Sequence, residues 1–575
     1  MRNYKDEYQL WLDSPALSEA EWAELNAIAD DEKEIESRFF APLEFGTAGL
    51  RGTMKLGLHQ MNVHVIRHAT QAFANVIKAE GAEAMSKGIA ICFDCRNNSE
   101  LFAREAACVM AANGIHVRIF DALRPTPELS FAVRYYGTTA GLNITASHNP
   151  KEYNGYKVYW SDGAQLPPQH AAAIADQMSR LDIFNDFVSC DFDEAVSDGR
   201  IELIGAETDE AYLEKVLEQA INKDVVQKVA DRLKIVYTPF HGAGYKLVPE
   251  ALHRLGVTQL YPVKEQMVLD GNFPTVESPN PENPEGFYLA IDLAKQVGSD
   301  LIIGTDPDSD RIGVMVRDGE SYTTITGNQL GVLLLDYVIN ARRTAGTLPA
   351  NAGAVKSIVT TEMAKAVAEA NGVHFEDTFT GFKFMAERIA EWEKAGSYEY
   401  IFAYEESYGY MMGDYVRDKD AVTASMMVAE MAAYYFNKGM NLKQAMESLY
   451  EKYGRYAEKT LNLVMPGLDG LAKMKNLMAQ LRSEPPKEIA GTEVFRLRDY
   501  SDGSITVPEL GVMGETPIKG SNVLYFELAD GTSFIVRPSG TEPKIKVYIL
   551  CKGADKAECD AKLKKYSEYA ENLKK

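Results

Sequence analysis

The chain has 575 residues, with 60 Lys and Arg against 83 Asp and Glu, a formal net charge of −23. Hydrophobic residues make up 46% of it, enough for several cored domains of roughly 100–200 residues each and too many for a disordered chain or a disulfide-stapled scaffold. So acidic a chain is not built to hold a nucleic-acid backbone or an anionic membrane by bulk attraction, and any anionic ligand must be caught by a local cluster of positive groups.

The opening MRNYKDEYQLWLDS is mixed and polar and does not read as an export signal, and no window approaches the ~18 consecutive apolar residues of a membrane helix. The six cysteines (Cys92, Cys95, Cys108, Cys190, Cys551 and Cys559) suit a reducing compartment. Cys92 and Cys95 form a C-x-x-C, but they lie in and directly after the apolar run 89–94, which reads as a strand, so they are expected to be buried thiols and not a redox pair. The expectation is a cytoplasmic protein.

Residues 1–40 read as an acidic helical extension. From 41 to 205 the strand-like 88–94 leads to a helix over 99–113, a strand over 116–120, a helix opened by Pro127 and a strand over 140–146. The same alternation recurs in 206–325, with strands 233–238 and 300–305 around helices over 245–255 and 285–297. It recurs again in 326–455, with strands 354–361 and 400–405 around helices over 362–371 and 381–395. Three similar α/β domains with mixed, mostly parallel sheets follow from this pattern. Residues 456–575 hold a linker and a fourth domain, with Pro-Gly and Pro-Pro pairs marking the segment from Tyr450 to about Pro486 as the approach, and antiparallel strands and a charged helix making that domain α+β.

Each α/β block ends its third strand in an unusual loop: Thr145-Ala-Ser-His-Asn-Pro150, Asp306-Pro-Asp-Ser-Asp-Arg311 and Glu405-Glu-Ser-Tyr-Gly409. Ligands of parallel α/β sheets sit at the carboxyl ends of strands, so three such ends can serve one shared cleft. Asp306, Asp308 and Asp310 offer alternating oxygen ligands. A calcium loop is excluded because Arg311 and Arg317 occupy the positions that need Gly and Glu, and magnesium held by few protein ligands plus a phosphate fits better. Ser147 follows a strand without the G-x-S-x-G of a hydrolase elbow, which leaves either a plain turn or a nucleophile paired with a divalent cation for phosphoryl transfer. Arg537-Pro-Ser-Gly-Thr541 combines a guanidinium, the hydroxyls of Ser539 and Thr541, and Gly540, whose backbone can wrap an anion. Gly46-Thr-Ala-Gly-Leu-Arg-Gly52 adds Arg51. Lys157 and Lys419 are amines that can carry protons if neighbouring cations lower their pKa. His241-Gly-Ala-Gly244 lacks the third glycine of a dinucleotide fingerprint, and His64 and His68 lack the Glu of a zinc motif.

Taken in order, TASHNP (145–150), DPDSDR (306–311), EES-Y-G (405–409) and RPSGTEPK (537–544) resemble the α-D-phosphohexomutase superfamily, with the match running from about Phe45 to Tyr548. The resemblance implies four domains around a central cleft. It also implies a small phosphosugar substrate and no nucleic-acid or membrane partner, for a monomer or homodimer. The Glu-Glu-Ser loop looks like that of phosphoglucomutases. The segments 43–52 and 154–159 look closest to bacterial phosphoglucomutases, a subgroup that also includes animal phosphopentomutases. Tyr404 and Ser309 stand where Gly often occurs in the family.

Carried over by resemblance, Ser147 is the residue that is phosphorylated, and with Asp306, Asp308 and Asp310 it holds one Mg²⁺. Glu405, Ser407, Thr380, Gly381 and Arg311 bind the sugar, and Arg537, Ser539, Gly540 and Thr541 hold the idle phosphate. Arg51, His148, Lys157 and Lys419 surround the reacting group. The implied reaction interconverts glucose 1-phosphate and glucose 6-phosphate, with glucose 1,6-bisphosphate as activator and intermediate. The alternatives are a phosphopentomutase, a phosphomannomutase, a sugar phosphatase using Asp306, or a phosphosugar-binding protein without catalysis.

Overall fold

A computed structural model describes residues 3–46, 49–465, 470–508, 510–539 and 544–574. The chain divides into two compact units, one of residues 1–326 with 407–441 and the other of 327–406 with 442–575. Among the described residues no helix is long and apolar enough to cross a membrane.

The first unit opens with helices Tyr4–Leu12, Glu19–Asn26 and Glu32–Phe39, the acidic extension expected from the sequence. They are tied down through Trp11, whose ring meets Phe39, His64 and Phe184 edge-on. His64 reaches Glu21 through Nε2 (3.0 Å) and His68 reaches the Leu181 carbonyl (3.2 Å), so both are satisfied core histidines.

Two sheets follow. In the first, Ile89–Phe93 lies parallel to Val117–Phe120 and Ala140–Ile144, and Val117–Phe120 lies parallel to Ile201–Ile204. Tyr153–Trp160 turns back antiparallel on Ala140–Ile144 in a register that sets Asn143 opposite Lys157, and Leu50–Thr53 closes the edge. In the second, Ile235–Thr238 is flanked in parallel by Leu260–Pro262 and Leu301–Thr305, with Ile312–Asp318 and Ser321–Ile325 added antiparallel. Ile89–Phe93, Ala140–Ile144 and Leu301–Thr305 are buried at every position, which explains why they read as continuous apolar runs instead of alternating ones. Cys92 belongs to this interior and Cys95, just past the strand, is partly buried; desolvation pushes both thiols well up, as expected of inert cysteines.

Helix Ala421–Asn437 also belongs to this unit. It is capped by Asp420, whose carboxylate accepts from the Val422 and Thr423 amides, and it packs on helices Gly244–Leu255 and Lys223–Gln227. Its residues are buried almost throughout, so its pull toward the second sheet outweighs its place in chain order.

In the second unit, Ala352–Ser357 runs parallel to His374–Thr378 and Glu399–Glu405. Tyr404 is fully buried there, and its ring covers Gly331 of helix Gly327–Ala345 so closely that a Cβ on Gly331 would lie 2.0 Å from Cε2. The C-terminal sheet is antiparallel, in the order Arg455–Val464, Lys544–Gly553, Ser533–Pro538, Leu524–Leu528, Thr492–Asp499, Ser504–Val507 and Gly511–Glu515. This corrects the reading of 450–486 as a linker. Arg455–Val464 pairs along its full length with Lys544–Gly553, and Gly470–Ser483 is a helix. The Pro-Pro pair, 485–486, follows that helix, and the Pro-Gly pair, 466–467, lies outside the described residues.

Glu458 of this outer strand is hydrogen-bonded by Thr361, yet burial raises its carboxyl from the ordinary 4.5 to about 7. The fold therefore binds this proton more tightly than the unfolded chain does, and stability is lost as pH climbs from 4.5 to about 7. Allowing for the part of the side chain that water reaches, the loss is about 2 kcal/mol. Glu458→Gln is expected to melt about 3 °C above the parent at about pH 8 and together with it near pH 5. Coincident melting curves at the higher pH would refute this.

Candidate active site

The serine loop and the acidic loop both connect a buried parallel strand to an antiparallel neighbour. In the first unit they meet. Ser147 Oγ donates to Asp306 Oδ2 at 3.0 Å and lies 3.2 Å from His148 Nδ1. Ser147 and Ser309 both adopt a left-handed backbone, φ 53° in each case, so each loop turns sharply at a residue that carries a Cβ.

The acidic loop is organised by Asp306, whose Oδ1 accepts the Asp310 and Arg311 amides at 3.0 Å each. Oxygens of Asp306, Asp308 and Asp310 lie within 4.8 Å of one another, and all three residues are buried. Asp308 Oδ2 is saturated by Lys157 Nζ and Thr126 Oγ1, each at 2.8 Å, whereas Asp308 Oδ1 and Asp310 Oδ1 are buried without a hydrogen-bond partner among the described residues. Converging, unsatisfied carboxylate oxygens are what a hard cation requires, so the donor set fits a metal ion.

Electrostatics separate the three acids. Burial and the charges of Asp308 and Asp310 hold the Asp306 carboxyl well above the usual range, and burial with Asp308 raises that of Asp310. Burial also acts on Asp308, but Lys157 outweighs it and keeps that carboxyl low. His148 is held neutral by burial and by Arg311 and Arg51. Lys419 departs from expectation. Burial favours its neutral form, but Asp310 (3.0 Å) and Asp418 (3.0 Å) outweigh this and keep the ammonium above its ordinary range, so its pKa is raised and not lowered.

Arg311 meets Glu282 at 3.2 Å, and Arg51 donates to Asn149 Oδ1 at 3.1 Å. Ser407 precedes Tyr408, whose carbonyl accepts the Ile312 amide (3.1 Å), while Gly409 bridges Arg311, so this tail of the sugar loop runs beside the acidic loop.

In the second unit Glu405 Oε1 accepts the Gly381 amide at the start of helix Phe382–Ala395, next to Thr380. Glu406 is held instead by Thr360 Oγ1 (3.0 Å) and Ser357 Oγ (3.2 Å), which leaves the two adjacent glutamates in different settings. Burial raises the phenol of Tyr548, whose electrostatic neighbours are Glu406, Arg537 and Glu405. The Ser539 amide donates to the Lys544 carbonyl at 2.8 Å. Gly540 and Thr541 lie outside the described residues.

Four residues that sequence reasoning missed support the first unit's site. Thr126 donates through both its amide and its hydroxyl to Asp308, and Asn143 donates to that hydroxyl (2.7 Å). Asp418 accepts from Tyr159 (2.8 Å) and Gln165 (3.2 Å) and so fixes the carboxylate that grips Lys419. Arg96 holds the serine loop from behind. Gly242 backs the acidic loop, since a Cβ there would lie 2.4 Å from Pro307 Cα, and the neighbouring Ala243 amide donates to the Pro307 carbonyl (2.7 Å). The glycines of 241–244, discounted for a dinucleotide, therefore let two loops touch.

Comparison with known proteins agrees with this geometry. Residues 42–183, 210–319, 326–453 and 498–561 match, in order, domains I, II and III (each alpha/beta/alpha) and the C-terminal domain of phosphoglucomutase/phosphomannomutase. A phosphoglucomutase of Staphylococcus epidermidis is 37% identical over 512 residues, 88% of this chain and 90% of that protein. The chain belongs to the phosphoglucomutase/phosphomannomutase family of the α-D-phosphohexomutases. A second family member, the phosphoglucomutase of Staphylococcus aureus strain MSSA476, is 36% identical over 535 residues, 91% of this chain and 92% of that one. The fold is shared with the open form of Paramecium parafusin, a phosphoglucomutase (TM-score 0.67, 18% identity, 92% and 94% of the two chains). It is also shared with a phosphoglucomutase/phosphomannomutase family protein of Burkholderia thailandensis (TM-score 0.65, 18% identity, 92% and 97%).

Proposed function

We propose that this enzyme is a phosphoglucomutase that interconverts α-D-glucose 1-phosphate and glucose 6-phosphate through a phosphorylated Ser147. The observation that carries the reading is the Ser147 hydroxyl 3.0 Å from Asp306 inside a buried acidic trio, on a chain whose curated relatives bear that name. Ser147 passes its phosphoryl group to the free hydroxyl of a hexose monophosphate. The resulting 1,6-bisphosphate turns end over end and returns its other phosphoryl group to Ser147.

Asp306, Asp308 and Asp310 would hold Mg²⁺, which supplies charge neutralisation for the transferring group. Arg51, His148, Lys157 and Lys419 surround that group, and Lys419, held as an ammonium by Asp310 and Asp418, stabilises its charge. Glu405, Ser407, Thr380, Gly381 and Arg311 bind sugar hydroxyls in either orientation, while Arg537, Ser539, Gly540 and Thr541 cradle the phosphate that is not reacting. The segments 41–205, 206–325, 326–455 and 456–575 each contribute one of these loops.

A coupled assay on glucose, mannose, glucosamine and ribose 1-phosphates, with Mg²⁺ and the matching bisphosphate, tests the reading. Glucose 1-phosphate is expected to exceed each of the others in kcat/KM by about tenfold or more, the discrimination available to a site that hydrogen-bonds specific hydroxyls. A preference for ribose 1-phosphate, inorganic phosphate as main product, or binding without isomerisation would each replace it.

A further inference from the structure

We propose that Arg96 is the positioning residue of the phosphoryl-carrying serine loop. The inference rests on the reading of Ser147 as the phosphoryl carrier. Arg96 lies on the turn after strand Ile89–Phe93, and its side chain is wholly removed from solvent. One guanidinium nitrogen donates to the carbonyls of Ser147 (2.6 Å) and Asn149 (2.5 Å), and another to those of Pro150 (2.9 Å) and Tyr153 (3.1 Å). Four carbonyls spread over seven residues of loop thus converge on one planar group.

Arg96 is itself held on its remaining sides. Its Nε faces Asp94 Oδ2 at 3.3 Å, and the Phe273 ring lies 5.1 Å from the guanidinium carbon. Asp94 also accepts Thr145 Oγ1 (2.6 Å) and Ser99 Oγ (2.7 Å), and Thr145 Oγ1 accepts the Ser147 amide (2.9 Å). The Asp94–Arg96 pair therefore grips Ser147 on both its amide and its carbonyl side.

That grip is needed because of the backbone at Ser147. A φ of 53° is unfavourable for a residue with a Cβ and persists only where its surroundings over-determine it. With the carbonyls drawn toward Arg96, the hydroxyl is directed at Asp306. Lysine cannot replace this: its ammonium has three donors around one point, whereas arginine spreads five over a rigid fork. Loss of the fork should release the loop and move the hydroxyl by an ångström or more, a displacement that costs on the order of 100-fold in rate.

The test compares the parent, Arg96→Lys, Arg96→Ala and Ser147→Ala in kcat, KM for glucose 1-phosphate, melting temperature, and the fraction of Ser147 phosphorylated after equilibration with glucose 1,6-bisphosphate. Arg96→Lys is expected to stay folded, keep KM within about threefold, and lose about 100-fold in kcat together with most of its phosphoserine. Millimolar guanidinium chloride, well below unfolding concentrations, is expected to restore about tenfold of the kcat lost by Arg96→Ala and to leave the parent unchanged. A lysine variant that melts earlier but keeps the parent's kcat per folded molecule overturns the inference and makes Arg96 a stabilising residue only.

Should the lysine variant not fold, Phe273→Leu takes its place: it removes the ring face behind the guanidinium and is expected to lower kcat several-fold at unchanged KM, and an unchanged kcat overturns the proposal. A parent without mutase activity, or an active Ser147→Ala, refutes the phosphoserine reading itself and is distinguishable from both results.

Discussion

Replacing Ser147 by Ala is expected to lower turnover of glucose 1-phosphate by about 10⁴-fold or more, the loss typical of removing a covalent nucleophile. The fold should survive. Alanine meets the same left-handed backbone that serine does, and the change removes the hydroxyl's hydrogen bonds to Asp306 and His148, worth about 1 kcal/mol each. Loss of turnover with an unaltered melting curve, and with no phosphorylated species in the intact mass after incubation with the bisphosphate, therefore reports on chemistry alone. Turnover close to that of the parent would end the phosphoserine mechanism for this chain.

The second large effect is expected at Asp308. Asp308→Asn preserves the shape and can still accept from Thr126 and Lys157 through one oxygen, but it removes a charge from the trio. Activity is expected to fall about 10³-fold, since a cation ligand and its electrostatic share of phosphoryl-transfer catalysis are lost together. Stability is expected to change little. Asp308 is a large cause of the elevated carboxyls of Asp306 and Asp310, so its neutralisation relieves both, and Lys157 retains Asp310 at 3.8 Å.

The readout that separates ligand loss from misfolding is the Mg²⁺-dependent rise in melting temperature. The parent should show it as mass action on the folded state, and the variant should need at least about tenfold more Mg²⁺ for the same rise. An identical Mg²⁺ response in both proteins would remove Asp308 from the cation site.

Much of this was legible in the chain itself because loops that follow buried strands carry their chemistry in contiguous residues. The acidic trio and the serine loop each sit within a few positions, and the alternation of strands and helices implies that such loops gather at the carboxyl ends of parallel sheets. What stayed hidden depends on contacts between segments distant in sequence. Thr126 and Asp308 are 182 positions apart, and Tyr159 and Asp418 are 259 apart, so no local pattern announces either pair.

Arg96 was overlooked for a different reason. Its neighbours Cys92 and Cys95 draw attention first, and an arginine after a strand is unremarkable until four carbonyls are seen to face it. Turn residues misled the reading of 450–486, because proline and glycine mark where elements end and say nothing of whether a ten-residue strand lies between them. The elevated amine of Lys419 follows from two acids at 3.0 Å that outweigh the charge of Arg311, an arrangement that composition cannot reveal.

The ring of Tyr404 over Gly331 binds two positions of the family into one steric unit. Where a relative carries glycine in place of Tyr404, the space above the helix opens and a Cβ at the counterpart of Gly331 becomes admissible; where the tyrosine is kept, none is. The two sites should therefore covary across homologues, and a tyrosine introduced at 404 into such a relative should be accepted only together with glycine at 331.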